Sequence, residues 1–288
     1  MAIARRGSGR VQVCSFEEDN VKMRNLMRAA LALPLALALT QGLRAELACR
    51  NSDYRGVFGA VALGDFITPP PGIPAGPTVR IGRVEADGNG NASIRATLSL
   101  NGVIVREDYG GTYSINPDCT VNVTLLIPFP GAPAPIPFKF FGMLADDGRE
   151  LGIILLEPAG TSVRITLRKQ RHDDCANGDL SGGYLLNMSG VNAFLPNVAQ
   201  GHFARLGRVK FDGKGAFTAN TRVSYAGRIV EESFAGVYSV DSNCTVSMAY
   251  TLGQPFTWSG MIRDNSAAVD FMVSEPMGAA ITGSLKQQ

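Results

Sequence analysis

The chain carries one stretch of sequence twice, and this duplication limits what it can fold into more than any other feature. Cys49 to Gln170 lies over Cys175 to Gln288 almost end to end. Gly82-Arg83-Val84 recurs as Gly207-Arg208-Val209, 125 residues on, and Asp87-Gly88-Asn89-Gly90 recurs as Asp212-Gly213-Lys214-Gly215 at the same offset. Gly111-Thr112-Tyr113-Ser114 returns as Gly236-Val237-Tyr238-Ser239, and Cys119-Thr120-Val121 as Cys244-Thr245-Val246. After one loop shortened by seven residues, Gly142-Met143 matches Gly260-Met261 and Glu157-Pro158 matches Glu275-Pro276. Solenoid units repeat every 20–50 or so residues; a period more than twice that marks two copies of one domain. The domains are expected at 46–170 and 175–288, joined by the short linker Arg171-His172-Asp173-Asp174, so that the two must touch or nearly touch.

Within a copy, strand signals alternate with turn residues. Copy one reads as strands near 55–66, 78–86, 91–100, 103–115, 119–128, 137–145, 150–157 and 162–169. Asp87-Gly88-Asn89-Gly90, Asn101-Gly102 and Asp146-Asp147-Gly148 supply residues that tolerate positive φ in tight hairpins. Short turns make consecutive strands antiparallel neighbours. The third strand shows the faces: Ala92, Ile94, Ala96, Leu98 and Leu100 alternate with Ser93, Arg95, Thr97 and Ser99. In copy two Phe217, Ala219, Thr221, Val223 and Tyr225 keep the same parity. One face is dry and the other wet, the inverse of an outer-membrane barrel. The expected fold is all-β: two tandem eight-stranded antiparallel up-and-down barrels.

Upstream, Arg24 and Arg28 lead into the apolar run Ala29 to Leu39, followed by Leu43-Arg44-Ala45. The order of basic, apolar and small residues predicts a secretory signal over residues 1–45 with cleavage after Ala45, an uncleaved anchor being the alternative. The first 22 residues fit this poorly, and Met23 or Met27 is a candidate start. The expected address is therefore periplasmic or extracellular. Cys14 is lost with the signal, leaving Cys49, Cys119, Cys175 and Cys244. Four cysteines allow three pairings. The duplication favours Cys49–Cys119 and Cys175–Cys244, one bridge per domain.

The two glycine-led first strands Gly56-Val57-Phe58 and Gly182-Gly183-Tyr184, the turns and cysteines above, and the closing segments Gly160 to Gln170 and Gly278 to Gln288 form a recognisable set. With them the chain resembles small exported bacterial proteins whose β-barrel is like that of allene oxide cyclases and lipocalins. The resemblance implies a calycin-type barrel and carries no catalytic residues over, since all the matching positions are turns, packing positions and cysteines.

The net charge of +2 and the lack of a basic stripe argue against nucleic acid. No CxxC or histidine cluster offers a metal site, and no catalytic set stands out; no cofactor is expected. His172 falls in the linker and His202 in a loop. Two acidic positions recur, Glu107/Glu232 in the fourth strand and Glu157/Glu275 at the end of the seventh. Each reads as a strand-end or salt-bridge residue, with Arg83/Arg208 as partners, or as a carboxylate at a barrel mouth that orients a ligand. Tyr113/Tyr238 reads as a core aromatic or a ligand contact. These six are the candidate binding residues. The expected role is a non-enzymatic binding module for a small apolar ligand or another extracytoplasmic protein. A lipid-acting isomerase or cyclase and a purely structural surface protein are the alternatives.

The copies differ in two places that bear on binding. Copy one has two proline-rich loops, Pro69 to Pro74 and Ile127 to Pro137, which copy two shortens. Copy two has Phe217 and Tyr225 inward where copy one has Ala92 and Leu100, and holds the only tryptophan, Trp258. Any cavity is expected to be larger in copy one.

Overall fold

The computed structural model describes residues 48–288 other than 129–133, 171–173, 253 and 264–266. The expected signal segment, His172 and most of the linker lie outside the described residues. The first copy forms β1 (Arg55–Phe66), β2 (Gly76–Asp87), β3 (Asn91–Leu100), β4 (Val103–Ile115), β5 (Thr120–Ile127), β6 (Ile136–Ala145), β7 (Glu150–Glu157) and β8 (Thr161–Lys169). The second forms β9 (Ser181–Asn192), β10 (Gly201–Asp212), β11 (Ala216–Tyr225), β12 (Arg228–Val240), β13 (Thr245–Leu252), β14 (Gln254–Ile262), β15 (Ala268–Glu275) and β16 (Ala279–Gln287). Each set closes into an antiparallel barrel. Among the described residues no helix is long and apolar enough to cross a membrane. His202, expected in a loop, is instead the second residue of β10 and exposed, because β10 extends to Gly201 opposite Asn192.

Closure follows from the hairpins. Most turns are short and the longer loops still join adjacent strands, so neighbours in sequence pair, and the last strand meets the first: Ala60 lies opposite Gly82 on one side and Leu167 on the other. Closing the sheet removes both edges, which would otherwise expose unpaired backbone groups. It also commits one face of every strand to the interior. The alternation of β3 obeys this, with Ile94, Leu98 and Leu100 buried, and so does β8 with Val163, Ile165 and Leu167.

The two ends of barrel one differ. At one end a 3-10 turn (Asn51–Asp53) carries Tyr54 under the barrel floor, where its ring lies 4.2 Å from that of Phe58. The disulfide Cys49–Cys119 ties this turn to the start of β5. The Asp87 turn belongs to the same end. Its carboxylate accepts from the backbone N–H groups of Asn89 and Asn91 at 2.7 and 3.0 Å and from the Asn91 side-chain amide at 2.8 Å. These bonds, the Asn91 side chain's first, hold the Asp87 carboxyl down at about 2. Asp212 repeats the device with the N–H groups of Lys214, Gly215 and Ala216. At the other end lie the β1–β2 loop with its prolines, the β3–β4 hairpin and the flanks of the second proline-rich loop, of which residues 129–133 lie outside the described residues.

The barrels pack against each other through unlike faces. Barrel one contributes the outer side of β1 and β2 and the start of β4, with Val61, Val79, Ile81 and Ile104. Barrel two contributes the outer side of β14, β15 and β16, with Met261, Met272 and Ala280. This is why β15 and β16 are buried on both sides and do not alternate, unlike their counterparts β7 and β8. Ser99 Oγ donates to the Ala279 carbonyl at 2.6 Å, and Arg83 Nη1 to the Asn243 carbonyl at 2.9 Å. Backbone joins backbone where the Gly278 N–H donates to the Gly102 carbonyl at 2.8 Å. Both glycines have positive φ, and a Cβ on Gly102 would come within 2.8 Å of the Gly278 Cα. The short distance requires glycine at this crossing.

The second disulfide is Cys175–Cys244, and each bridge spans about the same length of chain, 70 and 69 residues. Closing such a loop stabilises a fold by about 4 kcal/mol in the chain-entropy model. Replacing Cys49 and Cys119 together by serine is expected to lower the stability of barrel one by about that amount, measured by denaturant unfolding, and to leave the Cys175–Cys244 peptide intact in non-reducing maps.

Candidate active or binding site in barrel one

The interior of each barrel is crossed by one buried ion pair that occupies equivalent positions. In barrel one it joins Arg80 of β2 to Glu107 of β4, with Nε 2.8 Å from Oε2 and Nη2 donating to Oε1 at 3.0 Å. In barrel two it joins Arg205 of β10 to Glu232 of β12. Sequence position explains why both point inward: Arg80 is in phase with Val84 and Ala86, and Glu107 with Tyr109 and Tyr113, all buried. The expected partner, Arg83/Arg208, is wrong by three residues and therefore by one face. Arg83 points outward to Glu85 and Asn243, and Arg208 is exposed beside Gly183. A charge amid aliphatic neighbours was hidden in the sequence because arginine normally marks the wet face.

The surroundings of the two pairs differ in chemistry. In barrel two Arg205 donates to the hydroxyls of Tyr250 at 3.2 Å and Tyr225 at 3.1 Å, and Tyr225 donates to Glu232 at 2.9 Å. The guanidinium also stacks 5.4 and 5.3 Å from the Phe203 and Phe234 rings. Barrel one has Leu125, Leu100, Thr78 and Tyr109 at those four positions. There the pair keeps its own contacts, and a single tyrosine hydroxyl, that of Tyr109, is buried beside it. Burial pushes that hydroxyl up to about 12; Arg80 pulls it down and Glu107 pushes it up. Burial alone would lower Arg80, but the oxygens of Tyr109 and Glu107 outweigh it and hold the guanidinium above its ordinary value.

Free space lies on both sides of it. Below, toward the closed end, a cavity of about 50 Å³ is lined by Arg80, Tyr109, Ile94 and Leu125. Above, at the mouth, a cleft of about 200 Å³ is lined by Leu98, Leu100, Val103, Val105, Glu107 and the loop residues Gly72, Pro74 and Pro128. Both proline-rich loops thus meet at one end of the barrel. Ile73 of the first is buried among the core residues below. At matching heights barrel two is packed with rings: Trp258 stacks on Phe271 at 4.7 Å and Phe234 on Tyr250 at 4.3 Å. Phe140, Ile153, Tyr109 and Leu125 stand there in barrel one. The difference between the copies has the direction expected from Phe217 and Tyr225.

The other candidate residues are elsewhere. Glu157 is exposed and pairs with Lys139 on the neighbouring strand at 2.8 Å. Glu275 is exposed and accepts from the Thr257 hydroxyl at 3.2 Å. Neither is near the ion pair. Tyr113 lies at the closed end, where its hydroxyl donates to the Tyr54 carbonyl and accepts from the Gly88 N–H, both at 2.9 Å. Tyr238 repeats this with the carbonyls of Leu180 and Asn177 at 2.8 and 2.9 Å. Of the six candidates, only Glu107 faces the mouth cleft. Arg80 and Tyr109 were missed; the signal that could have found them is the lone charged residue Arg80 on an otherwise apolar parity, repeated at Arg205.

These features define a tandem-barrel protein with one open and one filled interior. No protein-family model matches the chain, and no curated protein does. A solved structure, that of CghA, is similar at 9 % identity and a TM-score of 0.22, covering 81 % of this chain and 89 % of that one. A likeness that slight carries no argument.

Removing one partner of a buried ion pair leaves an uncompensated charge and costs about 3–5 kcal/mol, whereas replacing both by apolar groups is often neutral. Glu107→Ala is therefore expected to destabilise barrel one by that amount, and the double variant Arg80→Met/Glu107→Leu to recover most of it. Glu232→Ala should cost less than Glu107→Ala, because Tyr225 and Tyr250 still receive bonds from Arg205. Denaturant unfolding of the three variants checks the order.

Proposed function

We propose that the protein is an exported, non-enzymatic binding module whose first barrel takes a small apolar ligand with one polar end. The observation that carries this reading is the mouth cleft of barrel one, apolar on its walls, whose lining includes Glu107, the residue paired with Arg80. Sites for drug-sized ligands usually measure about 300–1,000 Å³. A cleft of about 200 Å³ therefore suits a small ligand, or the head of a longer one whose tail lies against the proline-rich rim. The polar end would exchange bonds with the ion pair, which in barrel one lacks the two tyrosine hydroxyls that accept from Arg205. Barrel two serves as the filled, structural partner. The two disulfides and the signal-like leader support an oxidising, extracytoplasmic address. Likeness to calycin-type binding barrels rests on the strand count and the quoted motifs.

The test is a titration of the full chain with an environment-sensitive apolar dye. The variant Leu100→Tyr/Leu125→Tyr copies the filling of barrel two into barrel one. It is expected to weaken dye binding at least tenfold, a change of about 1.4 kcal/mol, with the fold retained by circular dichroism. Unchanged binding by a folded variant would place the dye elsewhere and remove barrel one as the site.

A further inference from the structure

Because the chain is a duplication, each surface used to join the barrels has a counterpart on the other copy. The joint is head-to-tail: the β1–β2 side of barrel one meets the β14–β16 side of barrel two. One counterpart of each face is left over. Barrel two presents the outer side of β9, β10 and β12, and barrel one that of β6 and β7.

Both leftover faces carry large apolar side chains in the open. On barrel one, Met143 and Ile154 stand where Met261 and Met272 stand in barrel two. Met261 and Met272 are 5 % and 0 % exposed in the joint, whereas Met143 and Ile154 are 56 % and 49 % exposed. Phe141 is the register partner of Ile154, and Leu156 lies two residues further along the same face, so the patch is continuous. At those two positions the face used inside the chain has Ser259 and Ser274, whereas beside the patch the exposed Arg164, register partner of Ile154, stands where that face has Thr282. On barrel two, Leu206 and Ile229 replace Ile81 and Ile104 and are 56 % and 67 % exposed. Exposed apolar patches of this kind mark interaction sites on soluble proteins.

We infer that these two faces bind each other between chains, so that a second copy of this chain docks head-to-tail and the internal joint is repeated. Three further correspondences fit. The crossing glycines Gly278 and Gly102 have the glycine counterparts Gly160 and Gly227. The contact from Arg83 to the Asn243 carbonyl has the counterpart Arg208 to Asp118, two exposed residues of opposite charge. Ser99, which donates across the joint, has the counterpart Ser224. Four positions differ: Leu185 replaces Gly59, against which Met261 packs, Asn187 replaces Val61, Ala204 replaces Val79 and Ser162 replaces Ala280, so the joint between chains is more open and more polar at its margins than the joint within one. Unlike faces that pair without a two-fold axis leave one of each free, so assembly continues past the dimer or closes as a ring.

Sedimentation velocity of the full, disulfide-bonded chain over a concentration series tests this. The mean mass is expected to rise with concentration and to pass that of a dimer. Met143→Lys/Ile154→Lys blocks one face and Leu206→Lys/Ile229→Lys the other; all four residues are exposed, and circular dichroism checks the fold. Each variant alone is expected to stay monomeric. Their mixture is expected to give a one-to-one dimer and nothing larger, since one intact face of each kind remains. Val237→Lys, on an exposed apolar residue at the far end of β12, is expected to assemble like the parent chain. A parent chain that stays monomeric throughout, a mixture that fails to dimerise, or a Val237→Lys variant that loses assembly would each overturn the inference.

Discussion

Closure of each sheet, β1 onto β8 and β9 onto β16, is the constraint on which the rest depends. Once the last strand pairs with the first, no edge is left, and every inward position shares one interior with seven other strands. A charge placed on the inward parity then has no route to water along its own face. Arg80 and Glu107 are committed to each other by that geometry, and so are Arg205 and Glu232.

The duplicated pair shows how one architecture supports two interiors. A buried ion pair contributes little net stability unless its remaining donors and acceptors are satisfied. Barrel two gives Arg205 two tyrosine hydroxyls and two ring faces, leaving its Nε without a partner, and these rings fill the interior. Barrel one substitutes leucines at Leu100 and Leu125, which leaves space on both sides of the pair and the Tyr109 hydroxyl alone beside it. A polar pair with incomplete partners beneath an apolar mouth is a poor arrangement for stability alone and a good one for receiving a ligand's polar end.

The outer faces follow a parallel logic. Packing the barrels through unlike sides buries Met272 and Ile81 and breaks the alternation of β15 and β16. The same sides on the opposite copies keep Met143, Ile154, Leu206 and Ile229, which stand exposed among the described residues. An internal duplication with a heterologous joint carries this consequence whenever the two copies retain both faces.

The sequence by itself determined the strand set, the turns, the inward parity of β3, β8 and β11, and the bridges within each copy. Those are local matters: period-two alternation and hairpin residues act over a few positions, and each duplicated segment repeats them. Glu107 was legible as a recurring carboxylate for the same reason. Tertiary structure alone decided its partner, because Arg80 and Arg83 are both arginines in one strand and only the closed barrel settles which of them faces inward. It also decided that Glu157 and Glu275 sit on the surface, that Tyr113 and Tyr238 tie down the closed ends, and that both proline-rich loops meet over one mouth. The joint between the barrels was equally beyond reach of the sequence: Met261 and Met143 are the same residue at matching positions, and one is buried only because a second barrel lies against it.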